Sequence, residues 1–282
     1  MAGLLNRLRR RKGGTDQLNL LLCGAQRSGT SSLRAYLESH PEIGFLDDED
    51  LVIDGDDVGY PFASPVIANS RLGDDPDTYR KISARLSGRH RYIAAKHPYF
   101  MVQPQVPLNI ARQLPDARLL FVLRNPIDAA YSAYRNGLAG GRRSGSFEEN
   151  IKLSLEAGAE DGSQSRRGKW LKHFANPDWL PLLVDRGFYH DYLLRFHAVI
   201  DPAKIHVIRF EDLTRDTAGT MAKVLEFLEL DPSHSFRKLD KVHNSSPSIE
   251  PMNGDTRAFL EDIYRDSNQK LFEMLGWDDN SW

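Results

Sequence analysis

The run Gly24-Ala25-Gln26-Arg27-Ser28-Gly29-Thr30-Ser31-Ser32 has the makings of an anion cradle. Gly24 and Gly29 can take positive φ and let a ligand approach the backbone. Arg27 brings a permanent cation, and Ser28, Thr30, Ser31 and Ser32 bring hydroxyl donors. The flanks strengthen the reading. Residues 18–23 are apolar except for Asn19, which predicts a buried strand. Residues 30–40 have helical spacing, with Leu33, Tyr36 and Leu37 on one face and Pro41 as the stop. A strand, a short loop and a helix start aim backbone N–H groups and the positive end of a helix dipole at one point.

The spacing is similar to the triphosphate-binding loop G-x-x-x-x-G-K-[ST], with one decisive difference. Thr30 stands where that loop carries its lysine, and the basic residue, Arg27, lies inside the loop. The lysine normally reaches the β- and γ-phosphates, and the next hydroxyl holds Mg²⁺. A loop without it suits a ligand that has no γ-phosphate and needs no metal, such as a 5'-phosphosulfate. No metal site is expected.

A second group lies far downstream. The apolar run 118–123 leads into Arg124-Asn125-Pro126, and Ser132 follows two helical turns on. Ligands of open α/β sheets bind beyond the C-terminal strand ends. Arg124 offers a forked cation and Ser132 a small donor, a pair able to hold phosphate. Taken alone, the pair reads more readily as an ordinary helix start with a surface arginine.

Elements that could position these groups recur along the chain. Further strands are expected at 92–95 and 205–210, and helices at 126–136, 147–157, 189–200, 218–230 and 256–275. Strands alternating with helices imply an α/β fold: a P-loop-like three-layer sandwich with a central parallel sheet flanked by helices. The expected organisation is a basic flexible tail at 1–16 and a single domain at 17–282. The Gly- and Arg-rich segment 137–145 reads as a mobile surface loop, and the acidic stretch 47–57 as a solvated one.

Composition narrows the partners. The formal net charge of −2 gives no general attraction to nucleic acid or anionic membrane. The single cysteine, Cys23, sits in an apolar run, so it reads as a buried thiol and no disulfide can form. No run is long and apolar enough to span a bilayer. The Leu/Arg-rich start, 1–12, lacks the apolar core of a signal peptide and reads as a frayed basic tail or a weak membrane contact. A cytoplasmic enzyme, bacterial above all, fits this pattern. A Golgi enzyme separated from its anchor fits too.

Together, the loop 27–32 and the pair Arg124 and Ser132 resemble the PAPS-dependent sulfotransferases, where PAPS is 3'-phosphoadenosine 5'-phosphosulfate and PAP its desulfated product. The resemblance extends to His40-Pro41-Glu42-Ile43, the segment 92–100, Gly187-Phe188-Tyr189 and Glu211-Asp212-Leu213, and is nearest to the heparan-sulfate-type glycan enzymes. It implies that Arg27, Ser28, Gly29, Thr30, Ser31 and Ser32 hold the 5'-phosphosulfate, and that Arg124 and Ser132 hold the 3'-phosphate. It implies Lys96 beside the transferred group and Arg27 on the leaving phosphate. For the general base it leaves Glu49, set in an acidic loop, and His97, near the end of the Lys96 strand. The cationic C-terminal nucleotide loop of the heparan type is replaced here by Lys241-Val242-His243-Asn244-Ser245, whose Asn244 and Ser245 could donate hydrogen bonds.

The implied function is transfer of a sulfuryl group from PAPS to a hydroxyl or amine, in a carbohydrate or glycolipid, by in-line attack. The alternatives are a kinase or NTPase with a degenerate loop and a non-catalytic PAP-binding module.

Overall fold

The computed structural model describes residues 14–15, 17–46, 86, 88–104, 106–157, 182–236, 252–278 and 282. Its strands are β1 (Leu20–Gly24), β2 (Ile43–Phe45), β3 (Tyr92–Lys96), β4 (Arg118–Leu123) and β5 (Ile205–Arg209). They form one sheet in the order β2-β3-β1-β4-β5, with every pair parallel. The chain builds to one side of β1 through β2 and β3, then crosses to β4 and β5. The strand order therefore reverses at β1, which puts a crevice beyond its C-terminal end.

Helices cover both faces, as an all-parallel sheet requires. Alternate strand residues point to opposite layers. Leu21, Cys23, Ile93, Ala95, Leu119 and Phe121 pack with α2 (Val106–Gln113), α5 (Tyr189–His197) and the end of α8 (Gly254–Leu275). Leu20, Leu22, Ala94, Leu120 and Val122 pack with α1 (Thr30–Glu38) and α7 (Thr217–Phe227). A third cluster joins α3 (Pro126–Ala139), α4 (Phe147–Glu156) and α8 through Tyr134, Phe147, Ile151 and Tyr264. This is the three-layer α/β sandwich expected from the sequence. Cys23 is fully buried, as expected, and burial raises its thiol pKa well above the usual value.

Several boundaries differ from the sequence reading. The last strand stops at Arg209, because Phe210 opens the short helix α6 (Phe210–Arg215). Arg209 Nε and Nη2 grip the Asp212 carboxylate at 3.0 and 2.9 Å, which turns the chain there. The helix expected at 30–40 ends at Glu38; the amide of Ser39 reaches back to Tyr36 O at 3.1 Å, and its hydroxyl does so at 2.7 Å. β2 and α2 are additional elements. The segment 137–145 is a surface turn that folds back on α3. Its first residues belong to α3, and the amides of Arg142 and Arg143 both bond to Gly137 O, at 2.9 and 3.2 Å.

The tail 1–12 and the acidic stretch 47–57 lie outside the described residues. No helix among those described is long and apolar enough to cross a membrane.

Candidate active site

Parallel neighbours lie about 4.8 Å apart, so the topology brings three strand ends together: Gly24 of β1, Lys96 of β3, and Leu123 of β4, which leads into Arg124. Hydrogen bonds lock the chain beyond these ends to β1 and β4. His97 N donates to Leu22 O at 3.0 Å, Met101 N to Cys23 O at 2.8 Å, and Ala25 N to Val122 O at 2.7 Å. The separate sequence motifs thus share one crevice.

The loop between β1 and α1 needs special backbone. Gly24 has φ 151° and Gly29 has φ 87°. A Cβ at Gly29 would stand 2.9 Å from the Phe210 ring, and one at Gly24 would stand 2.8 Å from Met101 Cβ. Only glycine fits both the conformation and the space. Arg27, at φ 61°, takes the left-handed region without that excuse, a form of strain that clusters at ligand sites. Gly29 also caps α1, whose first turn carries no acidic residue and no side-chain cap. The amides and positive dipole end of α1 thus face the crevice with no acidic residue in the helix's own first turn.

Arg27 spans the crevice. Its Nε donates to Ser132 Oγ at 3.1 Å, and its Nη1 lies 3.5 Å from Asn136 Oδ1. Arg124 Nη1 donates to Arg27 O at 3.4 Å, and its guanidinium lies 4.9 Å above the Phe210 ring. The loop and the downstream motif are therefore in direct contact. Burial lowers the Arg27 pKa, and the charges of Arg124, Arg142 and Arg135 lower it further. Such a gathering of cations has the chemistry to hold an anion.

Three elements fix these groups. Asn125 caps α3 by accepting from Ile127 N at 3.0 Å, and Pro126 occupies the first turn, where no N–H is needed. Glu211, from the motif 211–213, accepts from Asn125 N at 3.1 Å and from Trp282 Nε1 at 3.0 Å, which ties α6 to the start of α3. Tyr189 is fully buried, and its hydroxyl bonds to Ser28.

The remaining expected residues fall as follows. Ser28 is fully buried and also donates to Gln26 O at 3.3 Å, so its hydroxyl braces the loop from inside. Thr30 is buried at the start of α1, with Ser31 and Ser32 partly exposed beside it. Lys96 Nζ donates to Ser31 Oγ at 3.3 Å, which puts the ammonium against the loop. His97 is buried and stacks on Phe100 with centroids 4.7 Å apart. Both its ring nitrogens are closed off from solvent and make no hydrogen bond. Burial, and then the Lys96 charge, pull its pKa down to about 3. Glu49, Asn244 and Ser245 lie outside the described residues. Among those described, no group of His, Cys, Asp and Glu is placed to hold a metal.

The sequence reading did not single out Gln26, Tyr99, Asn136 or Arg186 as site residues. A cleft beside the loop is lined by Ala25, Gln26, Tyr99, Ala129, Ala133 and Arg186. Arg186 bonds to Gln26 Oε1 and lies 5.7 Å over the Tyr99 ring. Its position just before Gly187-Phe188-Tyr189 was the available signal.

Known proteins agree with this architecture. Residues 17–257 match the sulfotransferase domain family. Human carbohydrate sulfotransferase 15 is 26% identical over 178 residues, which cover 60% of this chain and 31% of that protein. Human bifunctional heparan sulfate N-deacetylase/N-sulfotransferase 2 is 21% identical over 93% of this chain and 30% of its own length. The chain thus spans about a third of these curated relatives. A sulfotransferase from Alicyclobacillus acidocaldarius shares the fold, with a TM-score of 0.70, 24% identity, and coverage of 93% of this chain and 97% of that one. With a family match across most of its length, the chain belongs to the sulfotransferase family.

Proposed function

We propose that this chain transfers a sulfuryl group from PAPS to a hydroxyl or amine of a carbohydrate. The observation that carries the reading is the bond from Arg27 to Ser132, which joins the two anion-binding motifs across the crevice. A donor with anionic groups at both its 5' and 3' ends suits two cationic sites on adjacent strand ends. Thr30, at the lysine position of the triphosphate loop, argues against a kinase or NTPase. The names of the relatives support a glycan acceptor.

The residues divide the work. The loop amides, Thr30, Ser31 and Ser32 bind the 5'-phosphosulfate, and Arg27 offsets charge on the phosphate that leaves. Arg124 and Ser132 bind the 3'-phosphate. Lys96, touching Ser31, stabilises charge on the transferred group. The acceptor oxygen or nitrogen forms a bond to sulfur as the bridging S–O bond to phosphate breaks, and the acceptor proton passes to a base. We assign the base to Glu49. His97 is a poor alternative, because an imidazole with a pKa of about 3 and no access to solvent is a weak proton acceptor.

The reading is tested by incubating the protein with ³⁵S-labelled PAPS and a panel of oligosaccharides. Label should move to a saccharide without added metal. Phosphoryl transfer from ATP with Mg²⁺, and none from PAPS, would overturn it.

A further inference from the structure

Glu211 holds its carboxylate between two uncharged donors. Oε1 accepts from the backbone amide of Asn125 at 3.1 Å, and Oε2 accepts from the indole Nε1 of Trp282 at 3.0 Å. Asn125 follows Arg124 directly in the chain. The Arg124 guanidinium lies 4.9 Å above the ring of Phe210, the residue just before Glu211. The acid and the arginine are therefore close neighbours, and opposite charges so placed attract. They do not pair. Among the described residues Arg124 makes no ion pair, and its Nη1 donates to the carbonyl of Arg27.

Trp282 is a firmly seated donor. Gly276, at φ 64°, ends α8 in the left-handed region, and Trp277 N bonds back to Phe272 O at 2.9 Å. The Trp282 ring packs edge-on against Trp277, Phe272 and Tyr189, with centroids 5.7, 5.2 and 5.9 Å away. Arg209 lies 5.8 Å over the Trp277 ring and also grips Asp212. The same aromatic group thus braces the start of α6, the helix that carries Glu211. An indole fixed by its ring aims its single N–H at the carboxylate with little freedom left to lose.

We propose that Trp282 is a positioning residue for donor binding: its N–H occupies Glu211 and keeps that carboxylate off Arg124, which leaves the guanidinium available to a 3'-phosphate. This role rests on the reading of Arg124 as the 3'-phosphate ligand. A carboxylate turned onto Arg124 would compete with the phosphate for one forked set of donors. An indole suits the task because it donates without carrying charge. It satisfies Glu211 and adds no second cation to draw the phosphate away.

The test measures dissociation constants for PAP and AMP with the full chain and three variants. Trp282→Phe keeps an aromatic ring in place and removes the N–H. It should weaken PAP about tenfold, the scale of one charge-assisted hydrogen bond, and leave AMP nearly unchanged. Adding Glu211→Gln to Trp282→Phe should restore most of the PAP affinity, because the competing charge is gone and the remaining oxygen can still accept from Asn125 N. Glu211→Gln alone should change PAP affinity less, so the two substitutions are not additive. A residue that only packs gives no such rescue. Unchanged PAP affinity in Trp282→Phe, a parallel loss of AMP affinity, or an equal effect of Glu211→Gln in both backgrounds would overturn the proposal. A wild-type chain that binds PAP no better than AMP would overturn the donor reading itself, and this role with it.

Discussion

Arg27 Nε donates to Ser132 Oγ at 3.1 Å, although 105 positions separate them in the chain. The bond joins the loop after β1 to the second turn of α3, so one ligand can touch both. Arg124, at the end of β4, completes the link by donating to the carbonyl of Arg27.

Loss of Arg124 should therefore affect binding before chemistry. Arg124→Gln should weaken PAP about 100-fold, as expected for a charge-assisted bond to phosphate, while AMP binding changes little. Calorimetry with both nucleotides checks this.

Lys96 should show the opposite pattern. Lys96→Ala should lower kcat about 100-fold, the scale for losing one electrostatic donor, with PAP affinity nearly intact. A large loss of PAP binding would place Lys96 in donor binding only.

Glu49→Gln should abolish transfer and leave PAP binding unchanged, because the amide cannot accept the acceptor proton. Full activity in this variant would move the base elsewhere.

His97 gives a prediction about stability. Its folded pKa is pulled to about 3, against about 6.5 in an unfolded chain. Above pH 6.5 both states are neutral there, and this contribution to stability is complete. As pH falls from 6.5 towards 3, the unfolded chain binds more protons, so stability falls. His40, pulled down to about 4 by burial and by His234, adds a loss in the same direction. Thermal melts of His97→Phe should show a shallower decline over this range, and the variant should retain transfer activity. An unchanged pH profile would contradict the assignment, and abolished activity would restore His97 as the base.

Much of this site was legible in the sequence because its determinants are local. An apolar strand, two glycines and a helix start specify the anion loop within a dozen residues. Arg124 was legible for the same reason, at the end of the most apolar strand. Other features depend on particular side-chain contacts or on distant partners. Phe210 continues an apolar pattern, and only the Arg209–Asp212 grip turns it into a helix start. β2, Ile43–Phe45, is too short to show a period and exists because β3 pairs with it. The turn holding Arg142 and Arg143 reads as open loop from its glycines, yet Asn150 and Gly137 fold it back. Arg186 joins the loop only because the chain returns there 160 positions after Gln26.

On the proposed function, Arg124 and Ser132, tied to the loop through Arg27, read the 3'-phosphate of the donor. The direct measurement is the dissociation constant of the wild-type chain for PAP and for AMP, which lacks that phosphate, under one buffer and salt condition. PAP should bind about 100-fold more tightly, the worth of a charged, hydrogen-bonded phosphate contact. Equal affinities would contradict it.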